Sequence, residues 1–342
     1  MNTIVLTTDP GRLAGSLATA AAILLRGGLV AFPTETVYGL GADATSAAAV
    51  ERIYLAKGRP HRNPIIVHVA DTAVAQPLVT HWPEAAARLA SRFWPGPLTL
   101  VLPRSAAVPD VVSGGGPTVA VRVPAHPVAL ALLEAVQRPL AAPSANRSNR
   151  LSPTRAEHVL AELSGRIDAV LDGGPCPGGI ESTVVDLSGP DPVLLRPGLV
   201  TAAEIGEVVG TLAIGGHAPK AGPLPAPGQM ARHYAPRTPV WLWDGEAEGW
   251  AALQTVRSGG LPCVLVTFSE GGPDSEVPNE PGVRVRRLPN LPLQASARLY
   301  DELRALDQAG LGAIHVVLPP DTPPWLAIRD RLLRAGRRVE DR

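Results

Sequence analysis

Residues 13–41, LAGSLATAAAILLRGGLVAFPTETVYGLG, contain the pattern that decides the fold class. The first part, residues 13–26, has the length and the apolar periodicity of a helix. The short apolar run at residues 28–32 then predicts a strand that leads into a polar loop. A helix followed at once by a buried strand is typical of α/β proteins, so we predict an α/β fold.

Helices and strands continue to alternate beyond this stretch. Residues 46–56 predict a helix for which Ser46 is a suitable N-cap, and another helix should end near Leu133. Strands are predicted at residues 65–69, 99–102, 118–123, 139–142, 169–171 and 183–187. This order indicates a mixed sheet.

The composition changes at residues 215–239, GGHAPKAGPLPAPGQMARHYAPRTP, which are rich in Pro and Gly and have no apolar period. Such a segment predicts an extended linker. Beyond it, strands at 240–243, 263–268, 283–286 and 313–318 alternate with helices at 250–257, 293–309 and 325–335. We therefore predict a domain at residues 1–212, a linker at 213–239 and a smaller, doubly wound α/β domain at 240–342.

The bulk composition excludes several classes of protein. Lys plus Arg and Asp plus Glu both number 31, so no global charge attracts the chain to nucleic acid or to a membrane surface. The two cysteines, Cys176 and Cys263, fit neither a disulfide framework nor a zinc cluster, which indicates reduced thiols. We predict a cytoplasmic protein without a signal peptide or a membrane span.

The segment PTETVYGLG, residues 33–41, is the first candidate for a site. It carries two hydroxyls, a carboxylate and a phenol directly after a predicted strand. Its glycines allow close backbone approach or a positive φ angle. Taken alone, it predicts a polar turn that exposes these groups.

The second candidate is KGRPHRNP, residues 57–64. Four cationic or potentially cationic side chains fall between Lys57 and Arg62, and no acid occurs between Glu51 and Asp71. A charge run is usually a solvated face, but solvated faces mix signs. A polyphosphate would supply the missing negative charge.

The third candidate is Arg122, which lies inside the apolar strand pattern VAVRVP. An isolated buried cation is costly, so Arg122 should have an anionic partner. The planar guanidinium suits a carboxylate, and the segment leaves open whether a ligand or the protein provides it.

Two further segments are rich in small hydrogen-bonding groups. Residues 142–154, APSANRSNRLSPT, follow a predicted strand, and their last residue, Thr154, is expected to cap the next helix. Hydroxyls, an amide and arginines at the end of a strand favour phosphate oxygens. The other segment is GIESTVVD, residues 179–186, followed by LRPG at residues 195–198.

Together these segments provide many donors for anions but no nucleophile with a base and no metal-ligand cluster. The sequence also lacks a Walker A loop, a nucleotide-binding GxGxxG and an HExxH motif. This combination predicts a site that positions charged substrates rather than one that attacks them covalently.

In this order the segments resemble the YrdC/Sua5 family of threonylcarbamoyl-AMP synthases. The matching motifs are PTETVYGLG, KGRP with NPIIVH, FWPGPLT, VAVRVP, APSAN with SPT, GGIESTVVD with RPG, and APGQMARHYAP. They span nearly the whole chain and indicate the long, two-domain form. The resemblance implies a YrdC-like N-terminal domain, with a twisted mixed sheet and a basic concave site, and a Rossmann-like C-terminal domain.

The resemblance also implies roles for individual residues. The family's KxR and SxN elements, which face the ATP phosphates, fall on Lys57, Arg59, Ser144 and Asn146. The remaining ATP contacts would come from Asn63, Thr118, Ser152 and Arg196, with Tyr234 of the linker closing over the nucleotide. L-Threonine would be held by Thr36, His68, Arg122, Ala142 and Ser182.

The implied reaction joins L-threonine, bicarbonate or CO₂, and ATP into threonylcarbamoyl-adenylate and pyrophosphate, for N6-threonylcarbamoyladenosine in tRNA. Mg²⁺ is expected on the triphosphate without a protein ligand that we can name. A tRNA threonylcarbamoyltransferase is the expected recipient of the product, and direct contact with tRNA stays open.

Two alternatives are weighed against this reading. One is carbamoyl adenylation, as in hydrogenase-maturation proteins with a similar domain, but two cysteines cannot form the zinc fingers of that larger architecture. The other is a non-catalytic RNA-binding module. Neutral net charge and an aromatic content of 4% argue against it.

Overall fold

The strand predicted in residues 13–41 belongs to a large mixed sheet, and the predicted helix packs on that sheet. The computed structural model describes residues 2–215, 224, 226, 234–256, 262–269, 274–276 and 283–338. The chain forms two compact units, one of Met1–Ser148 with Ser152–Met230 and the other of Asn149–Leu151 with Ala231–Arg342. Most of the predicted linker, including Met230, Arg232 and His233, lies outside the described residues.

The sheet of the first unit has eleven strands among the described residues. They are β1 (Ile4–Thr7), β2 (Val30–Phe32), β3 (Gly39–Asp43), β4 (Ile66–His68), β5 (Leu98–Pro103), β6 (Thr118–Arg122), β7 (Leu140–Ala141), β8 (Ala169–Asp172), β9 (Thr183–Asp186), β10 (Val193–Arg196) and β11 (Ala213–Ile214). Their order is β1-β8-β2-β3-β7-β4-β6-β5-β9-β10-β11. Parallel pairs such as β4–β6 alternate with antiparallel pairs such as β5–β6, so the mixed α/β sheet is confirmed.

The helices of this unit are α1 (Leu13–Leu25), α2 (Ala47–Lys57), α3 (Thr72–Ala75), α4 (Glu84–Phe93), α5 (Asp110–Ser113), α6 (Pro127–Val136), α7 (Ala156–Leu163) and α8 (Ala202–Val209). Helices α1 and α6 bury their apolar side chains against β2, β7 and β8, where Leu24, Phe32 and Leu132 form part of one core cluster. This burial removes apolar surface from water and fixes the helices on the sheet.

Helix α2 begins and ends as its sequence predicts. The Ser46 side chain accepts a hydrogen bond from the backbone N–H of Ala49 (3.3 Å), which confirms the predicted N-cap. The helix stops at Gly58, whose φ of 61° is left-handed and therefore favours glycine. Lys57, the last helical residue, is thus held at a fixed helix end.

Two local predictions are wrong. Residues 39–41, predicted as part of a polar turn, belong to β3. Gly41 serves close approach rather than a positive φ, because a Cβ there would lie 2.9 Å from Cε1 of Phe32. Thr154 is not a helix cap: α7 has its N-cap at Arg155, and the Thr154 backbone N–H points to His158 Nδ1 instead (3.3 Å).

The second unit is a smaller α/β sheet. Its strands are β12 (Val240–Trp243), β13 (Cys263–Phe268), β14 (Asp274–Glu276), β15 (Val283–Leu288), β16 (Ala313–Val317) and β17 (Arg337–Arg338), in the order β14-β15-β13-β16-β12-β17. Only the edge strand β14 is antiparallel among these described strands. Helices α9 (Glu246–Val256), α10 (Pro292–Gln308) and α11 (Leu326–Ala335) alternate with the strands, which confirms the predicted Rossmann-like pattern.

Residues 213–214, which we assigned to the linker, form β11 and pair with β10. The other boundaries of the predicted domains stay predictions. No helix in the described ranges has both the length and the apolar character needed to cross a membrane.

Candidate active site

The predicted site begins where two parallel neighbours, β4 and β6, end. His68 and Arg122 are register partners on these strands, so their side chains project from the same face of the sheet. Both residues are buried. Buried polar side chains need hydrogen-bond partners, so this face of the sheet is the candidate for the site.

Arg122 contacts three groups of the protein. Its Nη2 lies 2.6 Å from Glu35 Oε1, its Nη1 donates to Thr36 Oγ1 at 3.0 Å, and its Nε donates to the Gly96 carbonyl at 3.1 Å. The anionic partner that the sequence required is therefore present within the protein, in the form of Glu35. Sequence reasoning noted this carboxylate but gave it no role.

The loop at residues 33–38 does not expose its polar groups as predicted. Thr34 Oγ1 donates to the Val37 carbonyl (2.6 Å) and lies 2.8 Å from Thr36 Oγ1, and both threonines are buried. The Tyr38 hydroxyl donates to the Gly174 carbonyl at 2.8 Å, and burial raises the pKa of this phenol. These bonds fix the loop, so that Thr36 is presented to Arg122 in one orientation.

His68 is a neutral imidazole in this environment. Burial, followed by the nearby charge of Arg122, lowers the pKa of His68 to about 3. Its Nδ1 is buried and has no hydrogen-bond partner within the described part of the chain. A neutral ring with an unused nitrogen can hydrogen-bond a polar ligand without adding charge.

Lys57, Ser144 and Asn146, which the resemblance assigns to the ATP phosphates, contact one another, and their roles stay predictions. The Lys57 Nζ donates to the Ser144 carbonyl at 2.5 Å and also to the Asn146 carbonyl, while Ser144 Oγ donates to Asn146 Oδ1 at 2.5 Å. Lys57 is buried rather than placed on an exposed polar loop. Burial, and next the charge of Arg59, lowers the pKa of Lys57 well below its usual value.

Arg59 and Asn63 are joined within one turn. Arg59 Nε donates to the Asn63 carbonyl (3.0 Å) and Nη2 to the Pro64 carbonyl (2.6 Å), and both residues are buried. His61 lies 2.6 Å from Glu51, so one side chain of the basic run has an acidic neighbour in the protein. The sequence contains no acid within the run, but Glu51 lies close to it in the structure, so the run carries less unpaired charge than the sequence suggested.

Two adjacent residues, Glu181 and Ser182, contact residues that the resemblance assigns to ATP, and Ser182 is itself assigned to threonine. Ser152 donates to Glu181, whose neighbour Ser182 accepts from Arg196 Nη2 (3.1 Å) and lies 2.8 Å from Thr99 Oγ1. All five residues are buried. Glu181 and Thr99 lie in the motifs GGIESTVVD and FWPGPLT, but they received no role because the motifs do not show which residues their side chains contact.

Three predicted residues are not joined to these contacts. Thr118 begins β6, a rise of about 13 Å from Arg122 along the strand. The described bond of Ala142 is to the neighbouring strand β4, where its backbone N–H donates to the Ile66 carbonyl (2.9 Å). Tyr234 belongs to the second unit, where its buried ring stacks on Tyr300 (centroids 5.9 Å apart) below Arg331. The roles of all three stay predictions.

Three or more His, Cys, Asp or Glu side chains suited to a metal ion do not come together anywhere in the residues that the structure describes. The groups in these contacts are hydroxyls, an amide, backbone carbonyls, buried cations and the carboxylates of Glu35 and Glu181. This arrangement is suited to orienting small, charged ligands on one face of the sheet.

The fold and the site thus define an α/β protein that positions charged small molecules. The family model Sua5_yciO_yrdC, described as telomere recombination, matches residues 22–198, and the model of the threonylcarbamoyl-AMP synthase C-terminal domain matches residues 200–336. The chain belongs to the YrdC/Sua5 family of threonylcarbamoyl-AMP synthases, as the motifs indicated.

Two threonylcarbamoyl-AMP synthases match this chain over nearly their full length. The chain is 44% identical to the threonylcarbamoyl-AMP synthase of Bacillus subtilis, covering 96% of this chain and 94% of that one. It is 42% identical to the Pyrococcus abyssi enzyme of the same name, covering 93% of each. The crystal structure of P. abyssi Sua5 complexed with L-threonine matches with a TM-score of 0.89 at 38% identity, over 99% of this chain and 100% of that chain.

Proposed function

We propose that this protein is an L-threonylcarbamoyladenylate synthase, which converts L-threonine, bicarbonate or CO₂, and ATP into threonylcarbamoyl-adenylate and pyrophosphate. One observation carries the proposal in this structure. Ser182, assigned to threonine, accepts a hydrogen bond from Arg196, assigned to ATP (3.1 Å). Two ligands held by these residues would be neighbours, as the reaction requires. The full-length relatives of the same name support it.

The chemistry follows from the charges of the site. The α-ammonium group of threonine first loses a proton. The free amine then adds to CO₂ and loses a second proton to give a carbamate, and a carbamate oxygen attacks the α-phosphorus of ATP while pyrophosphate leaves. Lys57 and Arg59 offset the charge of the phosphates, and Ser144 and Asn146 orient them. Arg122 binds the threonine carboxylate, with Thr36, His68, Ala142 and Ser182 as the other contacts. Each of these side chains acts by position and charge, and none forms a covalent bond with a substrate.

We also propose that the segment between the units is a lid over this site. Leu224 donates its backbone N–H to the Arg62 carbonyl (3.0 Å), and Ala226 is fully buried in a cluster with Ile66 and Ala120. Ile66 and Ala120 lie two residues before His68 and Arg122 on the same strands. A cover at this place would exclude water, in which a carbamate decomposes.

The other parts of the proposal concern groups around the reaction. Mg²⁺ is proposed as an ion of the nucleotide, held mainly by phosphate oxygens and water. The product would pass to a tRNA threonylcarbamoyltransferase that modifies adenosine in tRNA. A cytoplasmic location is proposed because Cys176 and Cys263 are both buried and form no disulfide within the described residues, as is common in a reducing compartment.

The test is product analysis with purified protein. Mass spectrometry should detect threonylcarbamoyl-adenylate when threonine, bicarbonate and ATP are all present. Release of pyrophosphate should require both threonine and bicarbonate. Equal release with either one omitted would exclude the proposed reaction, and a carbamoyl-adenylate formed from carbamoyl phosphate would favour the alternative adenylation.

A further inference from the structure

The ion pair between Glu35 and Arg122 leaves one carboxylate oxygen unused. Glu35 Oε1 lies 2.6 Å from Arg122 Nη2, and the two side chains are 14% and 3% exposed, respectively. The second oxygen, Oε2, is buried and has no hydrogen-bond partner among the described residues. Buried carboxylate oxygens normally accept a hydrogen bond, so this atom indicates a place for a donor from outside the protein.

Arg122 can accept a second anion while it keeps Glu35. A guanidinium has five N–H groups, and the described hydrogen bonds of Arg122 use three of them, one each from Nε, Nη1 and Nη2. One N–H on each terminal nitrogen is therefore left for a ligand carboxylate. Glu35 does not have to leave before such a carboxylate binds.

The backbone of Glu35 is fixed, so its carboxylate is an organised part of the site. The Glu35 carbonyl accepts a hydrogen bond from the Gly178 N–H (2.8 Å). A Cβ at position 178 would lie 2.7 Å from the same carbonyl oxygen, which shows how closely the two segments approach. The next residue, Thr36, is held by Thr34 and Arg122.

An α-amino acid is a zwitterion whose ammonium and carboxylate are attached to one carbon. A receptor for it needs an anion and a cation side by side, and Glu35 with Arg122 supplies this pair. We propose that Glu35 binds the α-ammonium group of threonine through Oε2 while Arg122 binds the carboxylate. This inference rests on the proposed function, because it adds a residue to the threonine site that the family resemblance does not assign.

The alternative groups near Arg122 suit an ammonium less well. His68 is neutral, and the Thr36 hydroxyl already accepts a hydrogen bond from Arg122. A carboxylate forms a charge-assisted hydrogen bond with an ammonium, which is about twice as strong as a bond between neutral groups. Glu35 therefore discriminates an amino acid from a hydroxy acid of the same shape.

The experiment compares two ligands by isothermal titration calorimetry. One is L-threonine, and the other is (2S,3R)-2,3-dihydroxybutanoate, in which a hydroxyl replaces the ammonium. The variant Glu35→Gln keeps the size of the side chain and an oxygen for Arg122 but removes the charge. We expect it to weaken threonine binding by about 10- to 100-fold and to leave the dihydroxybutanoate affinity nearly unchanged.

Each other result overturns the inference. An equal loss for both ligands would show that Glu35 only supports Arg122, and a gain for both would show that Glu35 competes with the ligand carboxylate. The wild-type protein provides a second test that does not depend on folding of the variant. There the dihydroxybutanoate should bind at least about tenfold more weakly than threonine, and equal affinities would contradict the proposal.

Asp43→Asn is the control, because Asp43 also has a buried carboxylate paired with an arginine, the half-exposed Arg138, at 2.6 Å. It should leave the affinity for both ligands unchanged. If wild-type protein bound no threonine at all but kept its fold, the proposed function itself would fail, a result distinct from those above.

Discussion

The Nζ atom of Lys57 lies 2.5 Å from the carbonyl oxygen of Ser144, although the two residues are 87 positions apart in the chain. This bond connects the end of helix α2 with the segment after β7. Lys57 is buried, and its ammonium donates to the carbonyl groups of Ser144 and Asn146. The residue assigned to the ATP phosphates is therefore also part of the folded framework.

Lys57→Ala should lower both stability and activity. Removing the ammonium leaves the carbonyls of Ser144 and Asn146 without this donor, so the free energy of unfolding should fall by about 2–4 kcal/mol in chemical denaturation. Arg52→Ala is the control, since it removes a partly exposed ion pair with Asp168 and a hydrogen bond to the Gly27 carbonyl and should cost about 1 kcal/mol. Equal losses of unfolding free energy in the two variants would show that the buried contacts of Lys57 stabilise the fold no more than a surface ion pair does.

Arg122→Lys should raise the KM for threonine far more than the KM for ATP. Lysine provides a point charge and cannot reproduce the three directed contacts of the guanidinium, so we expect a loss of at least about tenfold for threonine. Steady-state kinetics with each substrate varied in turn would measure it. A raised KM for ATP with an unchanged KM for threonine would show that Arg122 serves the nucleotide.

The neutral state of His68 predicts a pH dependence of stability. The pKa of His68 is about 3 in the folded protein, whereas an unfolded histidine titrates near 6.5. The unfolded chain therefore binds a proton that the folded protein rejects. Stability should be fully present above about pH 6.5 and decrease as the pH falls toward 3.

His68→Gln should remove this contribution. Between about pH 7 and pH 5, the wild type should lose roughly 2 kcal/mol more unfolding free energy than the variant does. Urea denaturation at the two pH values measures this difference. Parallel losses in wild type and His68→Gln would contradict the assigned neutral state.

Gly41→Ala should destabilise the first unit. The added Cβ would lie 2.9 Å from Cε1 of Phe32 and 3.3 Å from the Val30 carbonyl oxygen, so β2 and β3 would have to separate. Such overpacking costs about 1–3 kcal/mol in chemical denaturation. Gly15→Ala, on an exposed position of α1 with no atom within 4 Å of the new Cβ, should instead stabilise by up to about 1 kcal/mol. A change of unfolding free energy with the same sign in both variants would refute this explanation.

The lid proposal predicts that the side chains of residues 229–233 matter. Replacing them with Gly and Ser while keeping Tyr234 should reduce product yield, because a flexible chain keeps the tether but loses the cover. Tyr234 is left in place because its ring is buried on Tyr300. Limited proteolysis of the segment should slow when ATP and threonine are added together. Normal yield together with unchanged proteolysis would mean that the segment is only a spacer.

Most of the framework could be predicted because the apolar patterns are local. Strands β12 and β13 have the predicted bounds, and α2 begins after the predicted cap at Ser46. Strand β3 was missed because it contains two glycines and an aspartate, which are uncommon in strands. Its stability comes from neighbours on both sides, β2 and β7, which a local pattern does not contain.

The sequence indicated candidate members of the site, whose roles stay predictions, but it did not indicate their contacts. Arg122 clearly needed an anion, yet Glu35 lies 87 residues earlier and many acids could have served. Likewise, nothing in the sequence near Ser152 indicates Glu181. Such pairs are determined by the order of strands in the sheet, which short motifs do not specify.

Glu181 and Ser182 are consecutive residues, and each contacts a residue assigned to ATP, Ser152 and Arg196 respectively, while Ser182 is itself assigned to threonine. If both substrates bind at these residues as proposed, a displacement of this peptide by one of them would change the contacts offered to the other. The binding equilibria of ATP and threonine are then thermodynamically linked. Whatever factor ATP applies to the dissociation constant of threonine, threonine must apply to that of ATP, so cooperativity between the substrates is already contained in two neighbouring residues.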